Sequence, residues 1–235
     1  MGDAPLFTLR GPWRIPIQFN SSLLFLAFLF GFLFIDRGIG PAAIAFAMII
    51  VAILLHELGH AAACVAQGVP VQRVVLFGGG GYCEYSGHVT PRQTEFIAVA
   101  GPLVNLALWA IATLALPSLA VEIIPAMEIN GRTTTPFVSG GQAYRLLETF
   151  AQLNLFLALF NLVPVLPLDG GRLLHSWLHR FVRGVTANRI IGGVGVLLSV
   201  LWIPLMFAAF FTFGFVLLFF PNLMLHWRLL RRGYG

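Results

Sequence analysis

Lysine is missing from this chain of 235 residues, charged side chains make up only 10% of it, and cysteine occurs just twice. So little charge excludes an ordinary soluble domain, in which about a quarter of the residues are charged, and a disordered segment, which polarity keeps unfolded. Cys64 and Cys83 are too few for a disulfide framework, and both read as free thiols near the cytoplasmic face. In place of charge the chain has apolar bulk: 58% hydrophobic residues, 22 phenylalanines and a mean hydropathy of +0.88. Its apolar runs are long enough to cross ~30 Å of hydrocarbon at ~1.5 Å per helical residue, which points to membrane helices rather than a barrel. A net charge of +5 would suggest nucleic acid in a soluble protein. Here the basic residues, all 14 of them arginine, cluster beside apolar runs, so they read as membrane flanks and no nucleic-acid partner is expected.

The expected fold class is an all-α polytopic membrane protein with one small β element. Apolar runs cover 20–35, 41–66, 96–116, 143–166 and 190–220. The first follows Arg10 and Arg14 as a signal peptide would, but it lacks a small-residue cleavage site and reads as retained. The last, ~46 Å long as a helix, exceeds one upright span. Arginine placement decides the count. Basic residues precede the first run, follow the second at Arg73 and Arg92, follow the fourth at Arg172, Arg180, Arg183 and Arg189, and close the chain at Arg228, Arg231 and Arg232. Keeping all of them on the inner side requires an even number of crossings between each group. The final run must then be a hairpin of two short helices, 190–203 and 205–220, turning near Trp202 and Pro204. The expectation is therefore six transmembrane helices with both termini cytoplasmic.

Between the second and third runs, residues 69–91 alternate at Val71, Arg73 and Val75 and then pass through Gly78, Gly79, Gly80 and Gly81. This reads as a strand or hairpin whose backbone is open to close approach. Residues 119–141 read as an external loop, and 171–185, with its arginines and Trp177, as a helix lying on the inner surface. With no internal repeat and no separate soluble region, 1–235 reads as a single membrane-embedded domain.

Within the second run stands His56-Glu57-Leu58-Gly59-His60. Four residues apart on a helix, the two imidazoles project from one face and can reach one ion, the spacing of zinc metallopeptidases. Glu57, one position round, is placed to act as the catalytic base, taking the proton of a water that zinc acidifies to pKa ~7. By composition the pattern would arise by chance in roughly one such chain in a few hundred. Its setting adds weight, since a charge at the bilayer centre costs ~2.5–3.5 kcal/mol to insert and needs compensation. A catalytic zinc takes three protein ligands and keeps a position open. Asp169 is the candidate for the third. It follows Asn161-Leu162-Val163-Pro164 and Val165-Leu166-Pro167-Leu168, where prolines break the helix, and precedes Gly170 and Gly171, which let the chain turn. Counting crossings puts it on the same side as the histidines. The competing role for Asp169 is capping of the helix that follows.

This combination, His-Glu-x-x-His on one span with Asn-x-x-Pro and Leu-Asp-Gly on a later one, resembles the site-2 protease family, the intramembrane zinc metalloproteases of peptidase M50 type. The likeness extends to Ala100-Gly101-Pro102 with Asn105 at the head of the third span. It implies His56, His60 and Asp169 as zinc ligands, Glu57 as the base, Asn161 near bound substrate, and a glycine-containing edge strand, through Gly79, Gly80 and Gly81, that pairs with an unwound substrate. It further implies intramembrane proteolysis of single-span membrane proteins in the cell membrane of a prokaryote. The chain departs from many members of the family by reading as a compact form without a PDZ or CBS domain. The sequence itself sets no oligomeric state.

Several signals compete with that reading. Asn161 could equally satisfy a backbone group freed by Pro164, and Asn154, two turns earlier, shares its face. Asn105 reads as a helix-packing amide. His175 and His179 repeat the four-residue spacing, but an arginine-rich surface helix accounts for them. Cys83, Glu84 and His88 make a weak metal set, and Cys64 reads as a small buried side chain. On the residues alone, a membrane zinc hydrolase of another bond and a non-catalytic metal-binding protein or transporter remain open.

Overall fold

A computed structural model describes residues 4–33, 38–124, 128–129, 132–133, 137–213 and 220–233. The chain opens with two strands, β1 (Pro5–Arg10) and β2 (Pro16–Asn20), followed by a short apolar helix, α1 (Leu23–Leu33), and a long one, α2 (Ile39–Ala66). The hairpin β3 (Val71–Phe77) and β4 (Gly80–Tyr85) leads into α3 (Pro91–Leu119). Thr90 starts α3 sharply: its side chain accepts from the Gln93 backbone while the Gln93 side chain returns to Thr90, with Pro91 at the first turn. Four short strands follow, β5 (Ala120–Ile124), β6 (Glu128–Ile129), β7 (Arg132–Thr133) and β8 (Phe137–Gly140). The remaining helices are α4 (Gln142–Asn161), α5 (Asp169–Phe181), α6 (Gly184–Phe213) and α7 (Leu223–Arg232).

Strands β1 to β4 form one sheet in chain order, with β2 and β3 parallel and the two outer pairs antiparallel. The sheet lies over α2, where Ile15, Ile17, Val74 and Cys83 bury against Ala61. Helix α3 packs along α2 on small residues: a Cβ on Gly59 would stand 2.9 Å from the Ala100 carbonyl oxygen. In turn α3 carries α4 and α5 on its other sides, so the second half of α2 is enclosed by the sheet and by α3. Helices α6 and α7 pair on buried Ala187, Ile191 and Leu229. Gly192 and Gly195 make that approach possible, since a Cβ on Gly195 would overlap the His226 ring at 1.8 Å.

Two expectations need correction. The β element is not confined to the segment between α2 and α3, because β1 and β2 extend its sheet from the N-terminal side. Nor is there a helical hairpin at Pro204: α6 runs unbroken from Gly184 to Phe213. A proline within an apolar helix removes one hydrogen bond without forcing the chain to reverse, and α3 likewise continues through Pro102 and Pro117. Among the described residues three helices are long and apolar enough to cross a membrane, α2, α3 and α6 over Gly184–Phe207, with α1 a shorter apolar helix. Helix α4 ends at Asn161, short of the prolines, and carries Arg145 and Glu148. Residues 34–35 of the first apolar run and 214–219 of the last lie outside the described residues.

Candidate active site

The apolar second half of α2 turns His56, Glu57 and His60 inward, and all three are at least 95% buried. Their ligand atoms lie within 4.8 Å of one another. The two imidazole Nε2 atoms stand 3.1 Å apart. Asp169 arrives from the start of α5, with Oδ2 3.1 Å from His56 Nε2 and 3.2 Å from His60 Nε2. Its capping role is not what the structure contains: Leu168 is the residue preceding α5, and no side chain caps that end. Gly170 and Gly171 allow this docking, because Cβ atoms there would run into the Leu162 carbonyl at 2.1 Å and the Val165 carbonyl carbon at 2.5 Å. Two and three turns on from Asp169, Ser176 donates to the Pro91 carbonyl and Arg180 pairs with Glu95, which fastens α5 to the head of α3.

Hydrogen bonds behind the imidazoles fix which nitrogen carries the proton. His60 Nδ1 lies 2.7 Å from the Ile97 carbonyl, which can only accept, so Nδ1 is the N–H and Nε2 is bare. His56 Nδ1 lies 2.5 Å from Asn105 Oδ1, while the Asn105 amide nitrogen reaches the Ala52 carbonyl and Asn154 Oδ1, so His56 too presents a bare Nε2. Two lone pairs and a carboxylate oxygen thus converge at 3.1–3.2 Å with no proton between them when both rings are neutral. Such a set is repulsive unless a cation lies among its members. A tetrahedral zinc with bonds of ~2.0–2.1 Å would hold its ligands ~3.3–3.4 Å apart, close to the spacing found here. Two nitrogens and one carboxylate oxygen are also donor types that zinc accepts.

Two glycines bring other elements against this group. A Cβ on Gly101 of α3 would stand 2.4 Å from His60 Nε2 and 2.7 Å from His56 Nε2. A Cβ on Gly81 of β4 would stand 2.7 Å from Glu57 Cγ. Since β4 is an outer strand of its sheet, Glu57 lies directly beneath a strand with an open edge.

The other predicted residues are distributed as follows. Gly79 is in the β3–β4 turn, and Gly80, with φ +136°, opens β4 in a conformation suited to glycine. Asn161 ends α4 with its amide donating to the Leu157 carbonyl at 3.0 Å. His175 and His179 meet with their rings tilted by 36°, and His179 is bonded to Asn188, so they form a separate surface pair. Glu84 pairs with Arg73 and Cys83 is buried, so these two do not gather with His88. Asn105, expected as a helix-packing amide, also contacts His56. Its one legible signal was position: Asn105 lies one turn beyond Gly101 on the helix that must face the two histidines.

The sequence profile of peptidase family M50 matches residues 44–202. A zinc metalloprotease of Methanocaldococcus jannaschii is 30% identical over 198 residues, covering 83% of this chain and 51% of its own length. Stage IV sporulation protein FB of Bacillus subtilis is 32% identical over 52% of the chain and 36% of its own length. The chain thus spans about half or less of the relatives it matches. Among solved structures, the site-2 protease from Methanocaldococcus jannaschii shares the fold, with a TM-score of 0.61 at 24% identity over 94% of this chain and 88% of the other. The profile covers well over half of the residues and includes every member of the converging group, and on that ground the chain belongs to peptidase family M50.

Proposed function

We propose that this chain is an intramembrane zinc metalloendopeptidase that cuts peptide bonds of single-span membrane proteins. One observation carries the reading: two imidazoles and a carboxylate, 113 residues apart in sequence, meet at hydrogen-bond distance beside a buried glutamate. His56, His60 and Asp169 would hold the zinc ion. Bound there, zinc supplies a Lewis acid that polarises the scissile carbonyl and acidifies water. Glu57 takes the proton released from that water and passes it to the leaving amine, a transfer its place between the histidines and β4 suits.

A peptide bond within a membrane helix is shielded by its own turn, so the substrate must first be extended. The open edge of β4 can receive an extended segment by strand addition, with Gly79, Gly80 and Gly81 leaving the backbone bare near Glu57. Asn161, the last residue of α4, would contact the same segment through its side-chain amide. The membrane arrangement we favour keeps an even number of crossings between the arginine-rich segments, with both termini cytoplasmic in a prokaryotic cell membrane. The return of α7 favours it: Gly233 accepts a hydrogen bond from Asn188 at 2.7 Å, so the arginines of α7 lie beside the arginine-bearing start of α6.

Glu57→Gln tests the function. The purified variant should hold zinc at wild-type stoichiometry yet lose cleavage of membrane substrates by at least ~100-fold, the scale of general-base catalysis. Comparison of membrane proteomes from cells carrying the active enzyme and the Glu57→Gln variant should then reveal the substrates. Cleavage that survives the substitution, or purified protein without stoichiometric zinc, overturns the reading.

A further inference from the structure

Asn154 of α4 touches neither metal ligand nor substrate strand, yet it ends a chain of buried amides that begins at His56. Both Asn105 and Asn154 are fully buried, at 0% exposure. The Asn154 amide nitrogen donates to the Phe150 carbonyl at 2.8 Å, and because a carbonyl only accepts, Asn154 must turn Oδ1 outward. That oxygen accepts from the Asn105 amide nitrogen at 2.8 Å. The second contact of the Asn105 nitrogen, to the Ala52 carbonyl, is 3.4 Å, beyond the ordinary range for a strong bond. Asn154 is therefore the stronger of the two holds on the orientation of Asn105. An asparagine presents oxygen on one side and N–H on the other, so that orientation decides what His56 Nδ1 meets at 2.5 Å. Facing oxygen, Nδ1 keeps its proton and Nε2 is a ligand. Facing N–H, Nδ1 must accept, the proton moves to Nε2, and the ligand is lost.

We infer that Asn154 is a positioning residue that acts through Asn105, fixing the protonation pattern of the His56 ring so that its Nε2 stays bare. The inference rests on the reading of His56 as a zinc ligand. Both amides are fully buried, so the direction of one side chain on α4 is passed through α3 to α2.

The test uses the full chain in detergent, with Asn154→Leu, the double variant Asn105→Asp/Asn154→Leu, and Ser199→Ala. The last removes a buried hydroxyl that donates to the Gly195 carbonyl within α6, a helix that contributes no residue to the relay, and serves as a packing control. Asn154→Ala is a second truncation in case Leu prevents folding. Nitrogen-15 NMR of the histidine rings, with the His56 signal assigned by its loss in His56→Gln, reads the proton position in metal-stripped protein. Chelator competition reads zinc affinity. Wild type should carry the proton on Nδ1. Asn154→Leu should shift His56 towards the Nε2–H form and bind zinc roughly 10- to 100-fold more weakly, the usual effect of losing a group behind a ligand. The double variant should restore both, because a carboxylate offers an acceptor whichever way it turns. A single variant that keeps the Nδ1 proton, or that loses affinity without any change in proton position, overturns the inference, as does Ser199→Ala giving the same loss. If wild type binds no zinc the proposed function fails, while the proton position still reports on the relay.

Discussion

At the residue scale, tolerance to substitution around the His–Asp group is set by two missing methyl groups. Gly101→Ala would drive a carbon to 2.4 Å from His60 Nε2 and 2.7 Å from His56 Nε2, where nothing flexible can yield, because both rings are bonded from behind. We expect this variant to fold with α3 displaced and to retain less than a tenth of the wild-type zinc, read by elemental analysis of purified protein. Gly81→Ala meets the middle of the Glu57 side chain instead, at 2.7 Å from Cγ. It should keep its zinc and lose cleavage about tenfold or more, a split that measuring both quantities on one sample will show. The histidine pair and Glu57 were legible because helical spacing puts them together within a single turn or so. Asp169 was legible as a lone acid between helix-breaking prolines and a glycine pair. Asn105 was not, because which amide meets which histidine depends on how two helices are rotated against each other, and no local pattern records that.

At the scale of elements, the docking of α7 on α6 depends on a histidine. His226 is fully buried, its Nδ1–H donates to the Asn222 carbonyl at 2.8 Å, and its Nε2 has no hydrogen-bond partner among the described residues. Burial lowers its pKa, and the bond to the carbonyl only partly offsets this. When α7 is undocked the ring returns to about 6.5 and binds a proton more readily than when docked. Docking is therefore at full strength above that value and weakens as pH falls below it, since the undocked form then holds more protons. Protection of the α7 amides, taken relative to their intrinsic exchange rates at each pH, should be high at pH 8 and markedly lower at pH 5.5, and His226→Leu should remove the difference. Sequence patterns gave the long apolar helices and the β3–β4 hairpin. They did not give β1 and β2, which join the sheet where β2 pairs with residues 57 positions further on, and they misplaced a turn at Pro204 because a proline permits a break in an apolar helix without requiring one.

For the whole molecule, the arrangement across the membrane is measurable with two pairs of positions. In a Cys64→Ala/Cys83→Ala background, single cysteines at 132 and 183 should react with a membrane-impermeant maleimide from opposite sides of intact cells, with 183 labelled only after permeabilisation. A cysteine at 228 should behave like the one at 183, because α7 folds back to the start of α6. Opposite behaviour of 183 and 228 would mean an odd number of crossings between them. Membrane residence itself was plain from composition, whereas the crossing count rested on arginine parity, which fixes odd or even but cannot say how the chain turns back. The wide separation of the ligands has a further consequence for biosynthesis. His56 leaves the ribosome 113 residues before Asp169, so a growing chain carries an incomplete blade through most of its insertion. On the proposed function, cutting power would be withheld until α5 has emerged and seated itself, and the machinery that inserts the polypeptide would not meet an armed intermediate.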